Sequence, residues 1–164
     1  IAVMSDGVLQ QIDNPQKLYD RPTNIFVAGF IGSPSMNFGD AKISKMNGVI
    51  TVDTGDVALN VPVEQRDVYA DYIGKDIVFG VRPEDLHDPK FMPPGVENPS
   101  LIEAKVDVME KMGNEVFVYL NIGNRSMIAR VDPRTDYKVG ETVQVAGNTH
   151  NLHFFDKTTG VAIR

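Results

Sequence analysis

Val116-Phe117-Val118-Tyr119-Leu120-Asn121-Ile122 alternates from end to end. Val116, Val118, Leu120 and Ile122 stand two apart, so an extended backbone sends all four to one face. Upstream, Ala104, Val106 and Val108 alternate with Glu103, Lys105 and Asp107; downstream, Met127, Ala129 and Val131 repeat the period, and Val143 and Val145 continue it. Val57, Leu59 and Val61 alternate with Ala58 and Asn60, and Ile77-Val78-Phe79-Gly80-Val81 is an apolar run ahead of Arg82-Pro83. Gly, Asn, Asp and Pro separate these segments. Short strands at this spacing predict a mainly β domain, a small barrel or sandwich, over residues 36–164.

Three stretches leave the pattern. Glu64–Ile73 carries Val68, Tyr69, Tyr72 and Ile73 at helical spacing with Gly74 as a stop, which predicts a helix. Pro89 to Pro99 holds four prolines, which cannot serve a strand ladder and so predict a surface loop. Asp156-Lys157-Thr158-Thr159-Gly160 predicts a turn feeding a last strand, Val161–Arg164.

Residues 1–35 read differently. Ile1–Met4 and Val8–Ile12 flank the turn Ser5-Asp6-Gly7, and Asp13-Asn14-Pro15 starts a short helix that Pro22 stops near Asp20. Thr23 is the expected N-cap of a second helix, Asn24–Ile31, closed by Gly32. Its Ile25, Phe26, Val27, Phe30 and Ile31 are too apolar for a free surface helix and must cover something. Met4 lies inside an apolar run, and the chain reads as a piece of a longer protein. This segment is expected to be the less stable part.

The 164 residues include 16 Lys+Arg and 22 Asp+Glu, a net charge of −6, and no Cys. The missing cysteine excludes disulfides, thiolate metal sites and thiol catalysis. The acidic balance argues against a phosphate-backbone or anionic-membrane partner. With no bilayer-length apolar run and no leader pattern, a cytoplasmic location is expected.

No catalytic constellation emerges. Gly74-Lys75 is the only Gly-Lys pair, Asp76 follows it instead of Ser or Thr, and Tyr69 stands where a phosphate loop needs its first Gly. No G-x-S-x-G or G-x-G-x-x-G occurs. His150 and His153 are spaced three apart on strand-like flanks, which points them to opposite faces and away from a shared metal. Glu84-Asp85 after Arg82-Pro83 reads as first-turn charge, not an acid–base pair. Gly113-Asn114 is a hairpin signal, and the sequon Asn124-Arg125-Ser126 would go unused in a cytoplasmic chain.

Four motifs carry a family resemblance. Asp6-Gly7-Val8-Leu9-Gln10-Gln11-Ile12, Pro15, Leu18-Tyr19, Pro22 and the run Phe26 to Phe38 resemble the end of the ATPase subunit of carbohydrate-import ABC transporters, such as the maltose and glycerol-phosphate importers. Gly80-Val81-Arg82-Pro83-Glu84-Asp85-Leu86 is similar to that family's Gly-[Ile/Val]-Arg-Pro-Glu segment. Met112-Gly113-Asn114-Glu115 resembles its Leu-Gly-Asn-Glu hairpin, and His153-Phe154-Phe155-Asp156 with Thr159-Gly160 its closing hairpin.

The resemblance implies two parts. Residues 1–35 would be the hairpin and two helices left from an α/β nucleotide-binding domain, with Phe26 and Phe30 as domain-packing residues. Residues 36–164 would be a regulatory barrel of the oligonucleotide-binding type, with Arg82, Pro83, Glu84, Gly113, Asn114 and Glu115 as regulatory or structural motif residues. ATP and Mg would be bound by a preceding domain, leaving no catalytic, cofactor or metal residue here. The implied partners are a second copy, the membrane-spanning importer subunits and a regulatory protein, not nucleic acid, at the inner face of the cell membrane. Phe91, Met92, Phe154 and Phe155 are candidates for a dimer patch. An oxyanion-sensing module of an importer ATPase and a nucleic-acid-binding barrel are the alternatives.

Overall fold

The computed structural model describes residues 1–61 and 63–164. The chain opens with the antiparallel hairpin β1 (Ala2–Ser5) and β2 (Val8–Ile12), turned by Asp6 and Gly7 at φ 48° and 78°. Helix α1 (Pro15–Asp20) starts where the Asn14 carboxamide accepts the Lys17 N–H at 2.8 Å. Helix α2 (Ile25–Phe30) is capped by Asn24, not Thr23: the Asn24 side chain accepts the Val27 N–H at 2.9 Å. Thr23 stays outside the helix: its N–H donates to Gln11 Oε1 at 2.9 Å and its carbonyl accepts the Ala162 N–H at 2.9 Å. The cap therefore moves one residue along.

Two five-stranded sheets follow. The strands are β3 (Asn37–Met46), β4 (Val49–Asp53), β5 (Ala58–Asn60), β6 (Asp76–Val81), β7 (Leu86–His87), β8 (Ser100–Lys111), β9 (Val116–Ile122), β10 (Arg125–Val131), β11 (Thr142–Gly147) and β12 (His153–Asp156). One sheet has the order β12-β6-β3-β4-β5, the other β10-β9-β8-β11-β7, and all their pairings are antiparallel. Strand β9 shows the alternation in full: Val116, Val118, Leu120 and Ile122 are buried, and Phe117, Tyr119 and Asn121 are half-buried. Both sheets pour their inward faces into one core that includes Ile43, Val52, Ile77, Val106, Val118, Leu120 and Val145. The expected mainly β, oligonucleotide-binding-type architecture is the one observed.

Asn37 ties the sheets together. Its carboxamide oxygen accepts the Ile128 N–H at 2.7 Å, and its Nδ2 donates to the Ile128 carbonyl at 2.9 Å and to the Val81 carbonyl at 3.2 Å. The side chain pairs with β10 as a peptide unit of a neighbouring strand would, from the start of β3.

Three expectations need correction. Glu64–Ile73 is not one helix but α3 (Arg66–Tyr69) between two 3-10 turns, Val63–Gln65 and Ala70–Tyr72. Tyr69 and Tyr72 both pack on the core three residues apart, a spacing that tighter 3-10 winding eclipses. The Gly74 N–H donates to the Ile43 carbonyl at 2.7 Å and fixes the exit. Val161–Arg164 is no strand, only isolated bridges from Val161 to Asn24 and from Ala162 to Phe155. These few residues join two different partners, so no continuous ladder can grow.

The third correction concerns Phe154 and Phe155, which are 2% and 0% exposed and present nothing to a partner. Strand β12 is covered on both faces. Phe154 enters the barrel core, edge-on to Tyr69 at 4.7 Å. Phe155 points the other way, against Ala28 of α2 and Met36, with Phe38 edge-on at 5.9 Å. Residues 1–35 are thus docked on the outer face of the β12-β6-β3 side, and their own small core is Val3, Leu18 and Val27. Phe91 is half-buried under the Arg134 guanidinium at 4.4 Å, and Met92 is half-buried, so the four side chains form no common surface.

Candidate functional site

The 3-10 turn Pro83–Asp85 closes β6 at the seam between residues 1–35 and the barrel. A cleft of about 480 Å³ opens there. Arg82, Glu84 and Asp85 line it from the turn, Tyr19 to Arg21 from the end of α1, and His150 to Phe154 from the far side.

Arg82 is 3% exposed. It ends a run of core residues, so its stem lies among them while its head reaches outward. Nη1 donates to the Ile31 carbonyl at 2.9 Å, Nη2 donates to the Tyr19 carbonyl, and the guanidinium lies 3.6 Å from the Tyr19 ring centroid. Both carbonyls belong to helix ends, where no intrahelical donor remains. One arginine from the barrel thus terminates α1 and α2 together. Burial lowers its pKa, while Asp85 and Asp20 act to raise it. Pro83 is buried and starts the turn, and the Glu84 Oε1 atom is buried without a partner.

Asp85 and His153 carry the strongest perturbations in the cleft. Burial pushes the Asp85 carboxyl up to about 6, against hydrogen bonds from Asn151 Nδ2 at 2.7 Å and Asn148 Nδ2 at 3.4 Å. Burial pushes His153 down to about 4, helped by Arg82 and Arg164. The ring also stacks on Phe155, centroids 6.4 Å apart. His150 stands apart at the rim, 3.3 Å from Glu64. Among the described residues no group of three His, Asp or Glu side chains is placed to hold a metal ion.

The structure brings Arg82, Pro83 and Glu84 to this seam but not the other motif. Gly113 (φ 90°) and Asn114 are exposed at the tip between β8 and β9, and Glu115 reaches Arg130 at 3.6 Å on β10. Phe26 and Phe30 stack at 6.0 Å on the outer side of α2, 40% and 65% exposed. Met4, Val8, Leu9 and Ile12 of the hairpin are exposed as well. Sequence reasoning missed Asn37, Asn148 and Asn151, whose partners are far along the chain. The one signal that marked the seam was an arginine placed directly after a five-residue apolar run.

Comparison with known proteins assigns this architecture. The MalK OB fold domain family matches residues 32–86, and the TOBE domain family matches residues 79–155. The two matches overlap on the segment that carries Arg82. The chain is 44% identical over 166 residues to the oligosaccharides import ATP-binding protein MsmX of Bacillus subtilis, covering 100% of this chain and 44% of that protein. It is 41% identical over 165 residues to the trehalose/maltose import ATP-binding protein MalK of Thermococcus litoralis, covering 99% and 44%. It is 38% identical over 164 residues to the osmoprotective compounds uptake ATP-binding protein GgtA of Synechocystis, again covering 99% and 44%. The chain therefore spans less than half the length of these relatives. A crystal structure of the cytoplasmic molybdate-binding protein ModG superposes with a TM-score of 0.53 at 17% identity, over 72% of this chain and 94% of that one, which shows a shared fold. The chain thus carries the MalK OB fold and TOBE domains, interleaved in one β structure, and is similar over its whole length to part of the sugar-import ATP-binding proteins.

Proposed function

We propose that this chain is the non-catalytic regulatory and dimerisation region of an ATP-binding subunit that drives sugar import. Residues 1–35 are the end of the nucleotide-binding domain, and residues 36–164 are the barrel that pairs with its twin. ATP and Mg are held by a domain outside these residues. The membrane-spanning importer subunits are partners of the whole subunit, which sits on the inner face of the membrane, and a regulatory protein is a further partner of the barrel.

The observation that carries this reading is the seam. Arg82 of the barrel grips the ends of both helices of residues 1–35, while Phe26 and Phe30 stack on each other and stay exposed, as do Met4, Val8, Leu9 and Ile12 of the hairpin. An exposed apolar patch of this kind marks an interaction surface. It fits a segment lying between an ATPase domain and a barrel and transmitting movement from one to the other.

A graft tests the import role. The 164 residues replace the matching part of MsmX, and oligosaccharide uptake is measured in Bacillus subtilis cells lacking MsmX. Uptake near the parental level is expected. A well-expressed chimera that hydrolyses ATP but imports nothing sinks the proposal. Self-association is measured by sedimentation over a concentration series on the chain and on its F26S/F30S variant. A dimer that survives the double substitution belongs to the barrel; a dimer lost with it comes from the apolar face of α2, and the dimerisation role fails.

A further inference from the structure

We propose that the seam cleft is a binding site for a phosphorylated sugar or polyol, with the phosphate on Arg21 and Arg164 and the hydroxyls toward Gln65 and Glu84. Its volume of about 480 Å³ suits a small organic molecule. A bare tetrahedral oxyanion would fill a small part of it.

Three arginines, Arg21, Arg82 and Arg164, line the cleft, and none of them forms a salt bridge among the described residues. The acids around them are held by other groups. Asp20 accepts two bonds from Gln16 Nε2 at 2.9 Å, Glu64 faces His150 at 3.3 Å, and Asp85 is taken by Asn151 at 2.7 Å. Arg82 spends Nη1 and Nη2 on backbone carbonyls and Arg164 spends Nη2 on the Pro22 carbonyl, while the Arg21 side chain donates to no described acceptor. The charges feel one another: Arg21 lowers the pKa of Arg164, second to burial, and Arg82 and Arg164 both depress His153. Asp20, Glu64, Glu84 and Asp85 share the lining, and Asp85 and Asp20 act on Arg82, but Arg21 and Arg164 repel each other and hold no ion pair among the described residues; a bidentate phosphate supplies one.

The same cleft asks for donors. Gln65 Oε1 and Glu84 Oε1 are buried acceptors with no partner. Both residues line the cleft that the guest fills, and Gln65 is held there by its Nε2, which donates to the His150 carbonyl at 3.1 Å. An unpaired buried acceptor is costly, so a hydroxyl-bearing guest gains on both sides. The cleft walls come from residues 19–21 and from the barrel alike, so an occupied cleft bridges the two parts.

The site stands independently of the dimerisation reading, and the two fail separately: titration reports one, sedimentation the other. The test is calorimetric titration of the 164-residue chain with glucose 6-phosphate, glucose and inorganic phosphate. Saturable binding of glucose 6-phosphate is expected, with each of the other two weaker by roughly tenfold or more. Arg21→Gln is the diagnostic variant, because that exposed side chain has no structural bond to lose. It is expected to weaken glucose 6-phosphate by roughly tenfold while leaving glucose binding and the urea midpoint unchanged. No saturable binding at millimolar concentration overturns the proposal, and so does equal affinity in the variant. Inorganic phosphate binding as tightly as the ester overturns the polyol assignment and leaves a plain oxyanion site.

Discussion

Replacing Arg82 with alanine should uncouple residues 1–35 from the barrel. The substitution removes two charge-assisted hydrogen bonds, to the Ile31 carbonyl at 2.9 Å and to the Tyr19 carbonyl, and a stacking contact at 3.6 Å. Bonds to a charged donor contribute about 1.5–3 kcal/mol each, and the stack about 1 kcal/mol. Against that, the buried guanidinium no longer has to be desolvated, which returns part of the sum. The net loss is on the order of 3–5 kcal/mol, much of it from two helix-end carbonyls left dry and unpaired. Urea unfolding measures the loss. Amide exchange locates it: the Arg21 and Ile31 N–H groups, which close the last turns of α1 and α2 on Lys17 and Val27, should exchange faster than those of β9. Arg82→Lys should recover less than half, since an ammonium cannot serve two separated carbonyls and stack on Tyr19 at once. A loss below about 0.5 kcal/mol with unchanged exchange in α1 and α2 would refute the clamp.

Other perturbations test other joints. Asp85, raised to about 6, binds its proton more tightly in the folded state and so weakens the fold as pH rises from about 4 to 6. His153, lowered to about 4, does the opposite and weakens the fold as pH falls from 6.5 to about 4. The wild type should therefore be nearly flat in urea midpoint between these limits, Asp85→Asn should become acid-sensitive, and His153→Gln should gain stability on mild acidification; parallel pH profiles for all three would contradict the assignment. Asn37→Ala should cost about 1–3 kcal/mol and expose the Ile128 N–H to exchange, and an unchanged Ile128 rate would show that the sheets close without it. Gly39→Ala places a Cβ 2.5 Å from the Phe79 ring and should cost about 1–3 kcal/mol in thermal or urea unfolding, whereas a neutral effect would mean that the ring can retreat.

The barrel was legible because its strands are half-buried, and half-burial writes itself as alternation. Ala104 to Val106 and Val116 to Ile122 needed nothing else, whereas a β-bulge between Val106 and Val108 breaks the expected period and leaves Val108 43% exposed. Legibility ended where burial has two sides. His153-Phe154-Phe155-Asp156 has consecutive buried aromatics, and only the docking of α2 explains the second. The Asn24 cap and the broken helix around Tyr69 were set by contacts with Ala162 and Phe154 far away in the chain, and local propensity carries no trace of these. The motif residues were found by resemblance, but their grouping was not. Arg82, Pro83 and Glu84 sit at the seam with Asp85 and His153, whereas Gly113 and Asn114 stand exposed on a hairpin tip.

Residues 160–164 hold the beginning of the molecule in place. The Ile25 N–H donates to the Gly160 carbonyl at 3.0 Å, the Ala162 N–H to the Thr23 carbonyl at 2.9 Å, and Arg164 to the Pro22 carbonyl 142 residues away. On a ribosome adding about 5–20 residues per second, that stitch comes roughly 7–28 s after its first half has been made. The barrel strands can pair during the interval. Until residue 160 is made, the helices at residues 15–30 have on the barrel only the Arg82 clamp and the packing of Ala28 with Met36 and Phe155.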